Sequence, residues 1–412
     1  MQIKDKLIRR KVYLFSILAV VSCGAIIYFK VPMIYGSIEY TSLADAPDYP
    51  AGTPASKIDV PQIANPVSVK VVSPKDQDLP ITHIKTPNQV RAIYSSAWVA
   101  GLSKYRDPLI KLIDTTELNS IVIDVKDSTG RIGFYVKDPV LAKYGSVEKR
   151  IPDVRALTNA LHAKNIYVIG RVAVFQDPYM TKAKPEWAIT KKSDGTVWKD
   201  HKGLSFLDPA KHEVWDYTVS IAREAYNDGF DEINFDYIRY PSDGDVKNIN
   251  YHLAKGETRS DNLEKFFKYL NTELKKDPSV MMSADLFGLT TESTDDMGIG
   301  QVWEKALPYF DFLAPMVYPS HYPPGQDGFK NPADHPYEII NKALAGAVVK
   351  TTKANSDINK IRPWLQDFNL GATYTDTMIK AEMKAVYENK LSSWMLWDPR
   401  NKYTPSALEL EN

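Results

Sequence analysis

Ser120-Ile121-Val122-Ile123-Asp124-Val125-Lys126-Asp127 and Tyr167-Val168-Ile169-Gly170 are the runs on which the reading of the fold turns. Each is apolar almost throughout rather than at alternate positions, the mark of a strand covered on both faces in a parallel sheet. Comparable β-rich runs begin near Val90, Ile233, Val280, Phe312, Ile361 and Trp394, which makes eight. Helical stretches fill the gaps between them. Pro152 to Lys164 repeats Val154, Leu157 and Leu161 at helical spacing, and Asp208-Pro209 offers an N-cap and first-turn proline ahead of Trp215, Val219 and Ala222. Asp261 to Lys276, Pro336 to Val349 and Asp376 to Lys390 have the same texture. Eight βα units over about 310 residues predict a closed (β/α)8 barrel, an α/β fold, with insertions. A doubly wound sheet is the alternative, but Ser95-Ser96-Ala97-Trp98 after the first run is a poor glycine-rich phosphate loop.

The barrel region spans 88–412, and what precedes it is of another kind. Lys4, Lys6, Arg9, Arg10 and Lys11 lead into an uncharged apolar run from Val12 to Phe29, closed by Lys30. At 1.5 Å rise per residue that run gives roughly 27 Å of helix, close to the hydrocarbon thickness of a bilayer. Residues 1–30 are therefore expected to be a cytoplasmic basic leader and single-pass signal anchor, with the barrel outside the cytoplasm. A lipoprotein signal is the competing reading, because Val20-Val21-Ser22-Cys23 has the small-residue-then-cysteine shape. The apolar run continues past Cys23 through Ile26, Ile27 and Phe29, which suits an uncleaved anchor better. Residues 31–87 scatter prolines among Ser, Thr, Ala and Asp with no apolar period and read as a linker, although Val67 to Val72 could add an edge strand.

Composition narrows the chemistry. The 51 Lys+Arg balance the 51 Asp+Glu, so the chain lacks the basic surplus with which a nucleic-acid binder neutralises phosphates. One cysteine, Cys23, removes disulfide scaffolds, cysteine-rich zinc sites and thiol redox pairs together. The 7 His include no pair at metal-ligand spacing on one helix, and Glu292, Asp295 and Asp296 lack the alternation of a calcium loop. No cofactor and no metal is expected, and the chemistry falls to carboxylates.

Barrel enzymes carry their chemistry where the strands stop. Here the stops are acidic: Asp124-Val125-Lys126-Asp127 after the second run, Asn234-Phe235-Asp236-Tyr237-Ile238-Arg239 after the fourth, and Ser283-Ala284-Asp285 after the fifth. Pro315 to Tyr322 follows the sixth with Tyr318 and His321, Trp364-Leu365-Gln366-Asp367 the seventh, and Trp397-Asp398 the eighth. Carboxylates crowded at one mouth repel, so at least one should hold its proton at neutral pH. Glycoside hydrolysis asks for such a pair, one group protonating the leaving oxygen while the other attacks or activates water. Trp98, Trp187, Trp198, Trp364 and Trp397 are candidates for stacking on sugar faces. The insertion from Gln176 to Pro209, with its turn Ser193-Asp194-Gly195, is expected to form a hairpin over the mouth.

From Val90 to Tyr403 the chain resembles a bacterial glycoside-hydrolase-like domain family long catalogued only as a domain of unknown function. The resemblance lies in Pro185 to Ala188, Gly203 to Pro209, Phe235 to Pro241, Ser283 to Gly288, Pro315 to Tyr322 and Trp364 to Phe368. It implies a (β/α)8 barrel and a polysaccharide-related role. More distantly, acids after strands four, five and seven are similar to the α-amylase-like nucleophile, acid/base and stabiliser, which would be Asp236, Asp285 and Asp367. Asp285 departs from the Glu usual there, and Asn234 stands where that layout has an arginine, a place Arg239 could take.

Asp124, Trp98, Arg239, Tyr318, His321, Trp364, Trp397 and Asp398 are the candidate substrate-binding residues around this trio. Blander roles compete: Asp236 as ion-pair partner of Arg239, Asp285 as a loop cap, and Asp124 and Asp367 as holders of Lys126 or Arg171. Two functions follow. One is a membrane-tethered glycosidase acting on an extracellular or cell-wall polysaccharide; the other is a barrel that binds such a polymer without cleaving it.

Overall fold

The computed structural model describes residues 79–410. The proposed anchor, Cys23, the run Val67 to Val72 and most of the linker lie outside the described residues. Eight parallel strands close into a barrel in chain order, the last pairing with the first. They are β1 (Arg91–Ser95), β2 (Ser120–Lys126), β3 (Tyr167–Ala173), β4 (Glu232–Asp236), β5 (Met281–Phe287), β6 (Phe312–Met316), β7 (Trp364–Gln366) and β8 (Trp394–Trp397). Every one falls on a run singled out in the sequence. The helices between them include α1 (Ser103–Asp114), α2 (Val154–His162), α3 (His212–Asn227), α4 (Arg259–Leu274), α5 (Trp303–Ala306), α6 (Pro336–Lys353) and α7 (Asp376–Glu388). After β8 the chain makes only a short turn, Pro405–Ala407, before Leu410 pairs with Thr116.

Local signals start the helices. Asp153 accepts from the Ala156 amide at the head of α2, and Thr258 and Asp261 cap α4 reciprocally. The Asp208-Pro209 start expected for α3 is corrected: the helix begins at His212, and the Asp208 carboxylate instead accepts from the Ala210 amide in the preceding turn.

Uniformly buried strands leave two apolar layers. Outward residues such as Ile121, Val168, Ile233 and Leu365 pack beneath the helices, while Ala92, Val122, Ile169, Ala314 and Met395 fill the barrel. Inside its N-terminal end Arg362 meets Glu232 at 2.8 Å, with the Tyr167 hydroxyl 3.1 Å from the same carboxylate. That end is also strapped by residues read from sequence as linker. Thr82 Oγ1 lies 2.7 Å from His162 Nδ1, the Ile84 amide donates to Asp231 Oδ1 at 2.8 Å, and Thr86 Oγ1 reaches the Tyr167 hydroxyl at 2.9 Å. Residues ahead of 88 thus belong with the barrel.

The insertion after β3 is a hairpin, closed where Gly195 donates to the Lys191 carbonyl at 3.0 Å with φ +70°, a conformation that favours glycine. Its base strand Thr190–Lys191 pairs antiparallel with Ile249–Asn250. Trp187 and Trp198 are buried in it, and Trp198 Nε1 donates to the Asp245 carbonyl at 2.9 Å. They hold the hairpin together and present no stacking face, which corrects that expectation.

Candidate active site

Strand register assembles the site. Asp124 on β2 is level with Arg171 on β3, Arg171 with Asn234 on β4, and Asn234 with Ser283 on β5. Because side chains alternate along a strand, Asp236 and Asp285, two residues beyond Asn234 and Ser283, point into the same barrel mouth from neighbouring strands about 4.8 Å apart.

The two carboxyls have unlike surroundings. Arg171 closes on Asp236 Oδ2 through Nε at 3.1 Å and Nη2 at 2.6 Å, and the Tyr237 amide donates to Asp236 Oδ1 at 2.6 Å. Asp285 is held instead by neutral donors. Its Oδ1 accepts from Asn234 Nδ2 at 2.9 Å and from Trp364 Nε1 at 2.8 Å. Burial, and next the negative charge of Asp236, hold the Asp285 carboxyl well above the usual carboxylate range. Tyr237, directly after Asp236, has φ +52°, an uncommon conformation for an aromatic residue of the kind that gathers at functional sites.

Both carboxyls line a cavity of about 60 Å³. Of the residues named from sequence, Arg239, Tyr318, His321, Trp364 and Trp397 join them there. Burial pushes the His321 imidazole down to about 4, so it is neutral at physiological pH, and its Nδ1 lies 3.0 Å from Ser320 Oγ. Trp397 is half-buried and stacks on Tyr94 at 4.0 Å. Trp364 is only 1% exposed, with its indole N–H committed to Asp285, so its part is in the carboxyl's bonding rather than in an open stacking face.

Four candidates lie outside the cavity lining. Asp124 stands behind Arg171, accepting from Nη1 at 2.6 Å and from the Tyr94 hydroxyl at 2.6 Å. Asp367 binds the chain after β8, accepting from the Thr404 amide at 2.9 Å and from Thr404 Oγ1 at 2.8 Å. Burial lifts the Asp367 carboxyl to about 7. Asp398 accepts from Arg400 Nη2 at 3.0 Å. Trp98 is exposed, with the Arg150 guanidinium 5.2 Å from its ring.

The cation on Asp236 is Arg171, not Arg239. Arg239 Nη1 donates to the Tyr240 carbonyl at 3.1 Å, and its guanidinium lies 4.7 Å from the Phe287 ring. That position at the cavity wall replaces both earlier readings of Arg239, as partner of Asp236 and as stand-in for the missing arginine. Sequence reading gave Arg171 only a structural part, and it passed over Tyr94, Phe287, Met316 and Phe368. The signal for Arg171 was present, since a charge inside the otherwise apolar buried strand Tyr167–Ala173 needs a buried partner. Among the described residues no group of three or more His, Cys, Asp or Glu is placed to hold a metal.

A parallel eight-stranded barrel with two unlike carboxyls at its mouth is of the kind that glycosidases use. Residues 92–403 match the family described as "Putative glycosyl hydrolase domain", and the chain belongs to that family. Among solved structures, a hypothetical protein from Ruminiclostridium thermocellum ATCC 27405 is 33% identical over 47% of this chain and 96% of its own, with a TM-score of 0.43. The PgaB (BpsB) glycoside hydrolase domain from Bordetella bronchiseptica is 10% identical, covers 76% of this chain and 95% of its own, and has a TM-score of 0.56, a likeness of fold. The spore cortex-lytic enzyme SleL from Bacillus megaterium QM B1551 is 12% identical over 78% of this chain and 73% of its own, with a TM-score of 0.47.

Proposed function

We propose that the barrel hydrolyses glycosidic bonds in an extracellular or cell-wall polysaccharide, with Asp285 as general acid and Asp236 as nucleophile or base. The observation that carries this reading is the inequality of the two neighbouring carboxyls. Asp285 gives its proton to the bridging oxygen, which leaves with the electron pair of its bond to the anomeric carbon. Asp236 supplies the replacing electron pair, directly or through a water that it deprotonates. Its Oδ1 accepts from the Tyr237 amide, while Arg171 closes on Oδ2, so Oδ1 is the oxygen assigned to that step. Trp397, half-buried at the cavity, offers ring surface to the sugar.

The same proposal tethers the barrel to the membrane through the apolar run from Val12 to Phe29, with the barrel on the extracytoplasmic side. This part rests on sequence; among the described residues no helix is long and apolar enough to cross a membrane. Fractionation of cells expressing the full chain and a variant lacking residues 1–30 tests it, because only the full chain should sediment with membranes. Radiolabelled fatty acid on Cys23 would replace the anchor with a lipoprotein. For the chemistry, the test is release of reducing ends from a polysaccharide panel by the wild type and by Asp236→Asn and Asp285→Asn. Binding without release would place the protein among non-catalytic carbohydrate binders.

A further inference from the structure

We infer that Trp364 is a positioning residue for the acid: its indole N–H fixes Oδ1 of Asp285 as an acceptor, so that the transferable proton sits on Oδ2. This rests on the proposed role of Asp285 as general acid.

The argument begins with donor chemistry. An indole Nε1 carries a hydrogen and has no acceptor capacity, so the oxygen that it meets at 2.8 Å must present a lone pair. Asn234 Nδ2 approaches that same oxygen at 2.9 Å, from the side opposite in sequence and strand. With Oδ1 engaged twice, a neutral carboxyl has only Oδ2 on which to carry its hydrogen, and Asp285 borders the cavity. Once that proton has left, the two N–H groups remain on the charged carboxylate and stabilise it without rearrangement.

Burial makes the arrangement strict. Trp364 is held edge-on to Trp397 at 5.5 Å and 90°, and Asp285 is 2% exposed, so no bulk water replaces the indole N–H. The other titratable groups around the same cavity are Asp236 on β4, Arg171 on β3, Arg239 and Tyr237 in the chain after β4, and Tyr318 and His321 after β6. Asp236 disfavours ionisation of Asp285 and Arg171 favours it. None of these is altered by a change confined to the indole nitrogen, which makes Trp364 separable from them.

The test is the titration of Asp285 in the full-length protein, followed by NMR of protein labelled with 13C at the aspartate side-chain carboxyl, with Asp285→Asn identifying the resonance. Trp364→Phe removes the donor. Site-specific 3-benzothienylalanine at position 364 removes it while keeping the bicyclic shape, and it carries the comparison if the phenylalanine variant does not fold. Losing a donor to the charged form raises a carboxyl's pKa, so Asp285 should titrate about one pH unit higher in both variants. An unchanged titration in a folded variant overturns the inference. The two failures are distinguishable: full polysaccharide cleavage by Asp285→Asn would remove the general-acid reading itself, whereas an unmoved titration beside an inactive Asp285→Asn removes only the part given to Trp364.

Discussion

Arg171 and Asp236 meet twice on a single oxygen, Oδ2, at 3.1 Å and 2.6 Å, while the remaining terminal nitrogen of Arg171 lies 2.6 Å from Asp124 Oδ1. One buried guanidinium therefore serves two buried carboxylates, and neither acid is matched if it is lost. Truncating one partner of a buried ion pair costs about 3 to 5 kcal/mol, most of it from the charge left behind. Arg171→Met should lower stability by that order in urea unfolding and abolish turnover as well. Adding Asp124→Asn should recover part of the stability and none of the activity. A stability of Arg171→Met equal to the wild type would mean that the triad is not charged as described.

Asp367 gives a pH dependence of known sign. Its carboxyl titrates at about 7 in the fold against 3.8 for the free group, because burial disfavours the charge. Between those values the folded chain holds a proton that the unfolded chain has released, so this residue makes stability fall as pH rises from about 4 through 7. Asp367→Asn should flatten that part of the profile relative to the wild type, measured by urea midpoints across the range. If the variant and the wild type run parallel, Asp367 is not protonated in the fold.

The strap along the barrel's N-terminal end predicts a boundary. A fragment starting at residue 79 should keep the bonds from Thr82, Ile84 and Thr86, whereas one starting at residue 88 leaves His162 and Asp231 partly unpaired. The shorter fragment should unfold several degrees lower, the loss being on the order of 2 kcal/mol for the hydrogen bonds removed. Equal melting temperatures would show the strap to be dispensable.

Trp397 borders the cavity and rests on Tyr94 at 4.0 Å. Trp397→Ala should weaken sugar binding about tenfold or more, as the loss of 1.5 to 3 kcal/mol of aromatic contact requires. Titration with an oligosaccharide product measures this without turnover. Unchanged affinity would move the sugar to another wall of the cavity.

The barrel was legible because burial on both faces writes itself into sequence: runs such as Ser120–Ile123 admit few other readings, and all eight strands lie where such runs stand. Asp236 and Asp285 were legible for the related reason that a carboxyl at the end of a buried strand is costly unless used. Partnership was not legible. Arg171 is 65 residues from Asp236 and Arg239 only three, so proximity in the chain favoured the wrong arginine, and only the β3 to β4 register brings the right one alongside. Trp364 failed for a different reason, since whether an indole offers its face or its N–H depends on rotamer and depth. The Asp208-Pro209 start of α3 was misread because a carboxylate that caps a turn and one that caps a helix look alike in sequence.

The central claim is that Asp236 and Asp285 divide the work of hydrolysis, and leaving-group dependence tests it most directly. Once a cleaved polysaccharide is known, turnover should be compared for that polymer and for an aryl glycoside of the same sugar with a good leaving group. Asp236→Asn should lose several orders of magnitude on both, because the attack or its activation is removed. Asp285→Asn should lose as much on the polymer but far less on the aryl glycoside, whose leaving group needs little protonation. Equal losses by Asp285→Asn on the two substrates, or wild-type rates from either variant, would contradict the assignment.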